Sequence, residues 1–427
     1  MSSTFSPLRR SLRAIAAVGA VTLLATACSS GGDDGGGGEG VDPGASKSDY
    51  AEALKDIDPV KVTVWTRTPP EAGFSKPMEA YKAAVEDWSG GKITIEIAYA
   101  NSIVDQGTAG EGLADGRVQF GDWALAQKAD EFPAANSVAR MVLLSGDFGP
   151  LAGNLQDMAA LSDLFMHYEP ALTEYDNAGY VPVFPMLPGP PDVPIICKDQ
   201  PIKSAADMKG KQIRAGSPEV GNAIKAAGGV PVSLSTAELF EAIERGVIDC
   251  AAVDLSVAAS TGILDVANQV SYSSLLPITA TSHVFNKAFL EGLPLAAQQL
   301  LWDRTDVYVE TWVHNILSGA SNAVKDVRAK GGTVTTWDAD LSATMTTWVE
   351  GEIDAARQEL PGIDDPDAFV DQAEKSFDKW QSIVQDDLGY EVKPYGEIDE
   401  WYSSDLDLKP WVEKFMAEAL GDHRPGS

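Results

Sequence analysis

The sequence of 427 residues has few cysteines, few histidines and little positive charge. Its three cysteines and four histidines show no metal-ligand spacing. It contains no GxSxG, HExxH, P-loop, EF-hand or CxxC motif. These absences leave catalysis, metal binding and cofactor binding without support. We therefore expect a protein that is not an enzyme and has no cofactor.

Positive charge is scarce. The chain has 32 Lys and Arg residues and 63 Asp and Glu residues, which gives it a formal net charge of -31. Such a chain repels nucleic acid and anionic lipid, so we expect neither as a partner. An anion site in such an acidic chain needs local positive charge, so individual arginines are candidate anion-binding residues. Long apolar runs are also absent beyond the N-terminal region, so no later segment is predicted to span a membrane.

The N-terminal residues have the pattern of an export signal. Arg9, Arg10 and Arg13 precede a short apolar run at residues 14–25, and Ala-Thr-Ala-Cys28 follows. This order resembles a lipobox, which implies cleavage before Cys28 and a diacylglyceryl group on its sulfur. The mature protein would then be anchored to the outer face of the cell membrane. An ordinary cleavage site with a chance cysteine and twin-arginine export are the alternatives.

The rest of the chain is long enough for two domains. Residues 1–27 are predicted to be the signal peptide. Residues 28–50 are predicted to be a flexible tether, because Gly, Ser and Asp leave little apolar surface to bury. We assign residues 51–191 and 280–319 to lobe I. Residues 192–279 and 320–427, with the C-terminal helices, are assigned to lobe II.

Strands and helices alternate in both lobes, which predicts an α/β class with mostly parallel sheets. In lobe I, residues 61–65, 92–99 and 118–125 have strand patterns, and residues 78–88 have helical spacing. In lobe II, residues 212–253 read as β-α-β-α-β. Ser217 is a predicted N-cap before Pro218, and Ser235 with Glu238 forms a capping box.

Helical spacing extends from Pro294 to Gly331. An unbroken helix of that length would measure roughly 54 Å and would have to run along both lobes. A kink near Ser318 and Gly319 is the alternative. Two further cysteines, Cys197 and Cys250, lie in apolar strand-like runs. Two buried thiols and a disulfide between them both fit these runs in an exported protein.

One segment of lobe II resembles a known family. Residues 202–254 contain DMKGKQIR, then GGVPV, then ELFEAIERGVID. This run resembles the DctP-type solute receptors of TRAP transporters, which are ion-driven carriers. The resemblance implies two α/β lobes joined by hinge strands and crossed by a long helix, as in periplasmic binding proteins. It also implies hinge closure on a small solute and delivery to membrane permease subunits.

Two other functions remain open at this point. A receptor for an ABC permease or a sensor kinase would share every binding feature. A secreted enzyme with paired carboxylates is the third hypothesis, and the missing motifs count against it. In each receptor hypothesis we expect a monomer.

The family has an arginine at the position of Arg214 that pairs with the solute's carboxylate. A guanidinium binds a carboxylate through two parallel hydrogen bonds, and the helix start at Ser217 also favours an anion. We therefore expect a small organic anion at Arg214 and Ser217. An internal ion pair of Arg214 is the alternative. Asp254 stands where the family commonly has Asn, so it could pair with Arg214 in the empty site or bind a solute hydroxyl or amino group.

The family also places solute contacts in the loops after the first and third strands of lobe I. The corresponding predicted contacts here are Trp65, Thr66, Arg67, Trp123 and Gln127. Arg67 would supply a second positive group, and a surface salt bridge is its alternative. Trp65 and Trp123 would wall an apolar pocket, and core packing is their alternative.

Overall fold

A computed structural model describes residues 39–71, 73–146, 148–188, 193–272 and 280–427. The predicted signal peptide, Cys28 and residues 28–38 of the predicted tether lie outside these residues. In the described part of the chain, no helix is both long enough and apolar enough to cross a bilayer.

The strands form two sheets. They are β1 (Val60–Thr66), β2 (Ile93–Tyr99), β3 (Phe120–Trp123), β4 (Tyr180–Pro188), β5 (Ile195–Cys197), β6 (Gln212–Ala215), β7 (Val230–Ser233), β8 (Cys250–Ala252), β9 (Gln269–Tyr272), β10 (Ala280–Asn286) and β11 (Thr333–Thr336).

Helices precede, connect and follow these strands. They are α1 (Lys47–Ala53), α2 (Ser75–Trp88), α3 (Ala109–Ala114), α4 (Pro133–Arg140), α5 (Asn154–Met166), α6 (Glu169–Asn177), α7 (Ala205–Met208), α8 (Pro218–Ala226), α9 (Leu239–Glu244), α10 (Leu255–Ser260), α11 (Lys287–Glu291), α12 (Leu295–Asp303), α13 (Thr305–Ala329), α14 (Ala339–Gln358), α15 (Pro366–Ser382), α16 (Ile398–Trp401) and α17 (Lys409–Glu418).

The first sheet has the order β2-β1-β3-β10-β4, and the second has the order β11-β9-β5-β8-β6-β7. Strand β10 is antiparallel to β3 and β4, and β5 is antiparallel to β8 and β9. The sheets are therefore mixed rather than mostly parallel. Strand β10 comes after β5 to β9 of the second sheet in the chain, but it pairs with β3 and β4 in the first sheet. The chain therefore passes between the two lobes more than once.

Side chains alternate across the second sheet, as strand geometry requires. Ile196 of β5 and Ala251 of β8 belong to the large core that also fills the first lobe. Cys197 and Cys250 point to the other face, into a smaller core beneath α8. The second lobe is therefore packed on both faces of its sheet.

Helix α13 crosses both lobes, which confirms the helix implied by the resemblance. Its 25 residues span about 38 Å, and it packs against α2 in the first lobe and against α10 in the second. The chain breaks at Arg304, between α12 and α13, and not at Ser318 and Gly319. At Arg304 the guanidinium lies over the indole of Trp88, with 3.6 Å between Cζ and the ring centroid.

Gly319 allows close packing of α13 and does not kink it. A Cβ atom at Gly319 would lie 3.2 Å from Cβ of Ser256 in α10. The glycine therefore lets α13 pass close to α10 without bending.

The C-terminal helices do not stay with the second lobe, so the assignment of residues 320–427 to lobe II is wrong for its later part. Helix α14 begins in the smaller core at Leu341, and its Ala356 lies in the large core. Helix α15 then packs along α5 of the first lobe, where the Trp380 indole donates to Asp163 at 2.8 Å. The apolar face of α15 drives this docking because it requires a surface to bury.

The folded part also begins earlier than predicted. Residues 47–50 belong to α1, whose Ser46 N-cap forms a capping box with Asp49. Tyr50 is fully buried, and its hydroxyl donates to Asp303 at 2.5 Å. The tether predicted for residues 28–50 is therefore wrong at its C-terminal end, because a buried tyrosine and a capped helix order that end.

Cys197 and Cys250 form a disulfide, which decides between the two alternatives left open by the sequence. The two residues lie directly opposite each other on the antiparallel strands β5 and β8. The bond closes a loop that contains β6, α8, β7 and α9. It therefore restrains most of the second lobe.

We predict that the double substitution Cys197→Ser with Cys250→Ser lowers the free energy of unfolding by about 2–4 kcal/mol, because the unfolded chain regains the freedom of a long loop. Urea unfolding followed by circular dichroism measures this. Dithiothreitol should shift wild-type protein toward the variant's curve and leave the variant unchanged. Equal midpoints for oxidised wild type and variant would contradict a stabilising bond.

Candidate functional site

Arg214 lies on β6, at the centre of the parallel strands of the second sheet. Its register partners are Val232 on β7 and Ala251 on β8. The carboxyl ends of these three strands meet at one edge of the sheet. Solutes bind at such edges in open α/β sheets.

Two main-chain carbonyls hold the Arg214 guanidinium. Its Nε donates to the carbonyl of Leu234 at 3.1 Å, and its Nη1 donates to the carbonyl of Ala252 at 3.0 Å. The side chain is partly buried, and among the described residues no carboxylate forms an ion pair with it. Burial lowers the pKa of Arg214, but a guanidinium stays protonated in proteins. Arg214 is thus a fixed positive charge that the described residues do not neutralise.

The turn after β6 fits closely around this guanidinium. A Cβ atom at Gly216 would lie 2.9 Å from Nη1 of Arg214 and 3.3 Å from Cζ. Glycine therefore keeps the space that the guanidinium occupies. Ser217 follows as the N-cap of α8, and its hydroxyl accepts from the Val220 amide at 3.4 Å, as the sequence predicted.

Asp254 occupies the same edge of the sheet as Arg214. It follows β8, two residues after the Ala252 carbonyl that holds the guanidinium. It caps α10, where its Oδ1 accepts from the Val257 amide at 3.0 Å and from the Ser256 hydroxyl. Burial raises the pKa of the Asp254 carboxyl. The predicted pairing with Arg214 in the empty site is not formed, because the helix start engages Asp254 instead.

Arg67 follows β1 and forms an ion pair with Asp122 of β3. Their side chains are only 15% and 4% exposed, and the guanidinium lies 4.8 Å from the ring centroid of Phe74. The pair is thus buried, and it is not the surface salt bridge that the sequence suggested. Because Asp122 already neutralises Arg67, the prediction of a second free positive group is wrong.

The aromatic residues predicted to wall a pocket belong to the core of the first lobe. The Trp65 indole donates to the carbonyls of Ala100 at 2.7 Å and Val104 at 3.1 Å, and Trp65 is 1% exposed. Trp123 packs against Phe132, with 4.9 Å between the ring centroids. Trp65 and Trp123 therefore pack in the core of the first lobe, which is the alternative to the predicted pocket wall.

The other two predicted contacts of the first lobe follow the same strands. Thr66 is buried, and its hydroxyl donates to the Phe74 carbonyl at 3.1 Å. This bond closes the loop after β1, so the predicted solute contact of Thr66 is also replaced by a structural role. Gln127 lies in a short 3₁₀ turn after β3, and its side chain lies outside the described residues.

A cavity of about 600 Å³ opens between α4 of the first lobe, the start of α8 in the second, and α14. Among the predicted site residues, Ser217 lines it. Arg140 and Glu352 also line it and form an ion pair at 2.9 Å. Arg140 was not among the site residues predicted from the sequence. An arginine within the apolar run VARMVLL was the signal that could have identified it.

A comparison with known families supports the resemblance seen in the sequence. Residues 193–356 match the DctP family, described as bacterial extracellular solute-binding protein, family 7. This segment of the chain is similar to that family. The matched residues contain β5 to β9, α13 and most of α14, so they include Arg214, Asp254 and one of the helices that crosses both lobes.

Several known proteins are similar to this chain. The ectoine-binding periplasmic protein TeaA of Halomonas elongata is 22% identical over 292 residues, which cover 67% of this chain and 78% of TeaA. DctP6 of Bordetella pertussis, an extracytoplasmic solute receptor binding pyroglutamic acid, superposes with a TM-score of 0.60 at 20% identity. That match covers 75% of this chain and all of DctP6.

A second structure has the same fold. The TRAP solute-binding protein of Rhodoferax ferrireducens, in complex with copurified benzoate, superposes with a TM-score of 0.61 at 18% identity, covering 76% of this chain and 99% of the other. The two-lobed α/β fold predicted from the sequence is thereby confirmed.

We predict that Gly216→Ala displaces the Arg214 guanidinium while the fold remains intact, because the added methyl group meets the mobile end of a side chain rather than the backbone. Crystallography of the variant measures the displacement. Gly351→Ala in α14 is the control, because no atom lies within 4 Å of the added methyl group. The control should melt slightly higher than wild type. An unmoved guanidinium in Gly216→Ala would contradict the close fit.

Proposed function

We propose that this receptor captures a small carboxylate-bearing solute outside the cytoplasm and delivers it to TRAP permease subunits. The carboxylate binds the Arg214 guanidinium, and Ser217 at the start of α8 assists. The receptor acts as a monomer. It performs no covalent chemistry.

The observation that supports this proposal is the state of Arg214. Two main-chain carbonyls orient the guanidinium and leave its charge in place. A partly buried cation without a counter-ion favours an anionic guest, because the guest supplies the missing charge. A carboxylate also matches the planar fork of the guanidinium.

Hinge closure supplies the rest of the mechanism. The solute bridges groups on the two lobes and so stabilises the closed conformation over the open one. Closure removes water from the site, which lowers the local dielectric and strengthens the pairing with Arg214. The ion pair between Arg140 and Glu352 joins α4 of the first lobe to α14 beside the cavity. It is placed to favour one relative position of the lobes.

We also propose that the receptor is a lipoprotein attached through Cys28. The sequence order before Cys28 supports this, as does the Gly-rich segment after it. A diacylglyceryl group carries two acyl chains, and two chains suffice for stable attachment to a bilayer. The receptor then stays near its permease on the outer face of the cell membrane.

Arg214→Ala should weaken solute binding by at least about thirtyfold, because removing one partner of a buried charged pair costs about 2–5 kcal/mol. A thermal-shift screen of organic acids first identifies a solute, and calorimetry then measures its affinity. Arg214→Lys should recover only part of the binding, since an ammonium lacks the planar fork.

Arg245→Ala is the matched control, because Arg245 is an exposed arginine of the same lobe that pairs with Glu241. It should bind the solute as wild type does. Unchanged affinity in a folded Arg214→Ala variant would show that the site assignment is wrong.

Cys28→Ser should release the receptor from the membrane fraction, because the lipid can no longer be attached. Cell fractionation and mass spectrometry of the mature N-terminus measure the release and the missing diacylglyceryl mass. Ser29→Ala is the control and should remain bound to the membrane. Equal membrane retention of Cys28→Ser and wild type would disprove the anchor.

A further inference from the structure

The second charge at the sheet edge, Asp254, has no cationic partner among the described residues. Its carboxylate accepts from the amide of Val257 and from the hydroxyl of Ser256, which are both neutral donors. The side chain is partly buried, and burial raises the pKa of its carboxyl. Desolvation therefore disfavours its charged form, and a cation brought beside it would offset that cost.

The position of this carboxylate is fixed before any solute arrives. Asp254 is held by the first turn of α10, and Ser256 in that turn packs against Gly319 of the crossing helix α13. A group held in this way loses little freedom when it binds, so its charge acts on a solute in a defined place.

Arg214 and Asp254 are separate charges of opposite sign at one edge. Strands β6 and β8 are parallel neighbours, and the carbonyl of Ala252 that holds Arg214 lies two residues before Asp254. Each side chain is held by its own hydrogen bonds, and no ion pair joins them. A solute at Arg214 therefore meets a negative charge close by.

We infer that the solute is zwitterionic: its carboxylate binds Arg214, and a cationic nitrogen on a neighbouring part of the same molecule binds Asp254. This inference rests on the proposed function and adds the class of solute. A plain organic anion would be repelled by Asp254, since like charges brought together cost several kcal/mol. A neutral polyol would leave both charges without counter-ions.

A hydroxy acid is the strongest competing solute class, because its hydroxyl could donate a hydrogen bond to Asp254. It would, however, leave the negative charge of Asp254 unbalanced. A hydroxyl and a cationic nitrogen both form a charge-assisted hydrogen bond with a carboxylate, but only the nitrogen also supplies the counter-charge. The cationic nitrogen is therefore the better partner.

The test compares amino acids with partners that lack the cation. Suitable pairs are leucine with 2-hydroxyisocaproic acid, phenylalanine with phenyllactic acid, and proline with tetrahydrofuran-2-carboxylic acid. Thermal shift ranks the six compounds on the full mature chain, and calorimetry gives affinities for every compound that binds. We expect the ammonium member of the best pair to bind at least about tenfold more tightly than its partner.

Asp254→Asn is the decisive variant, because Asn caps a helix as well as Asp does and so keeps the fold while removing the charge. Binding of the ammonium solute should weaken by about 10- to 100-fold, and binding of its partner without the ammonium group should be unchanged or tighter. Asp249→Asn is the matched control. Asp249 precedes the opposite end of β8 and accepts from the Gln212 amide at 2.8 Å, so its replacement should leave both affinities as in wild type.

Three outcomes would overturn the inference. Wild-type protein would prefer the partners without the ammonium group, Asp254→Asn would leave the preference for the ammonium member intact, or no compound of either class would bind. The first two leave the proposed function standing provided that Arg214→Ala still abolishes binding. The third counts against the proposed carboxylate receptor as well.

Discussion

The structure of the site depends on an arginine that is held without being neutralised. Carbonyl oxygens orient the guanidinium of Arg214 and leave its charge available to a guest. Arg67 shows the opposite arrangement, because Asp122 binds it inside the first lobe. Both arginines follow or end strands near the edge of a sheet, and both are partly or largely buried. The identity of the acceptor, a carbonyl or a carboxylate, decides which of them can serve an anionic solute.

Two helices join the lobes on either side of this arginine. Helix α13 packs on both lobes. Because Gly319 has no side chain, α13 lies close to the turn at Ser256. Helix α14 runs from the small core of the second lobe to the large core of the first, and it lines the cavity near Ser217. Movement of one lobe against the other must therefore be accommodated by these helices as well as by the strands. The binding edge is coupled to the crossing helix because Ser256 contacts both Asp254 and α13.

Features set by neighbouring residues in the chain were predictable, and features set by distant partners were not. The N-cap at Ser217 and the capping box at Ser235 depend on a few adjacent residues, and the structure has them as predicted. The partner of Arg67 lies 55 positions away on another strand, so no local pattern could identify it. The apolar face of α15 predicts burial, but it does not say that α5 is the surface it covers. Of the candidate site, the resemblance seen in the sequence pointed to Arg214 and Asp254, which the structure has at one edge of the second sheet. The tryptophans were misplaced because a strand-end tryptophan has the same pattern whether it packs inward or faces a solute.

Asp254 shows why a structural role need not account for a residue's chemistry. As an N-cap it stabilises the start of α10, and Asn would do so equally well. The remaining difference between Asp and Asn is a negative charge. A helix of six residues has a weak dipole, which stabilises this charge only a little. Burial opposes that charge, as the raised pKa of the carboxyl indicates. A negative charge that the helix does not need and that burial disfavours fits the zwitterionic solute that we propose, since the cation of that solute would balance Asp254 while its carboxylate binds the guanidinium on the next strand.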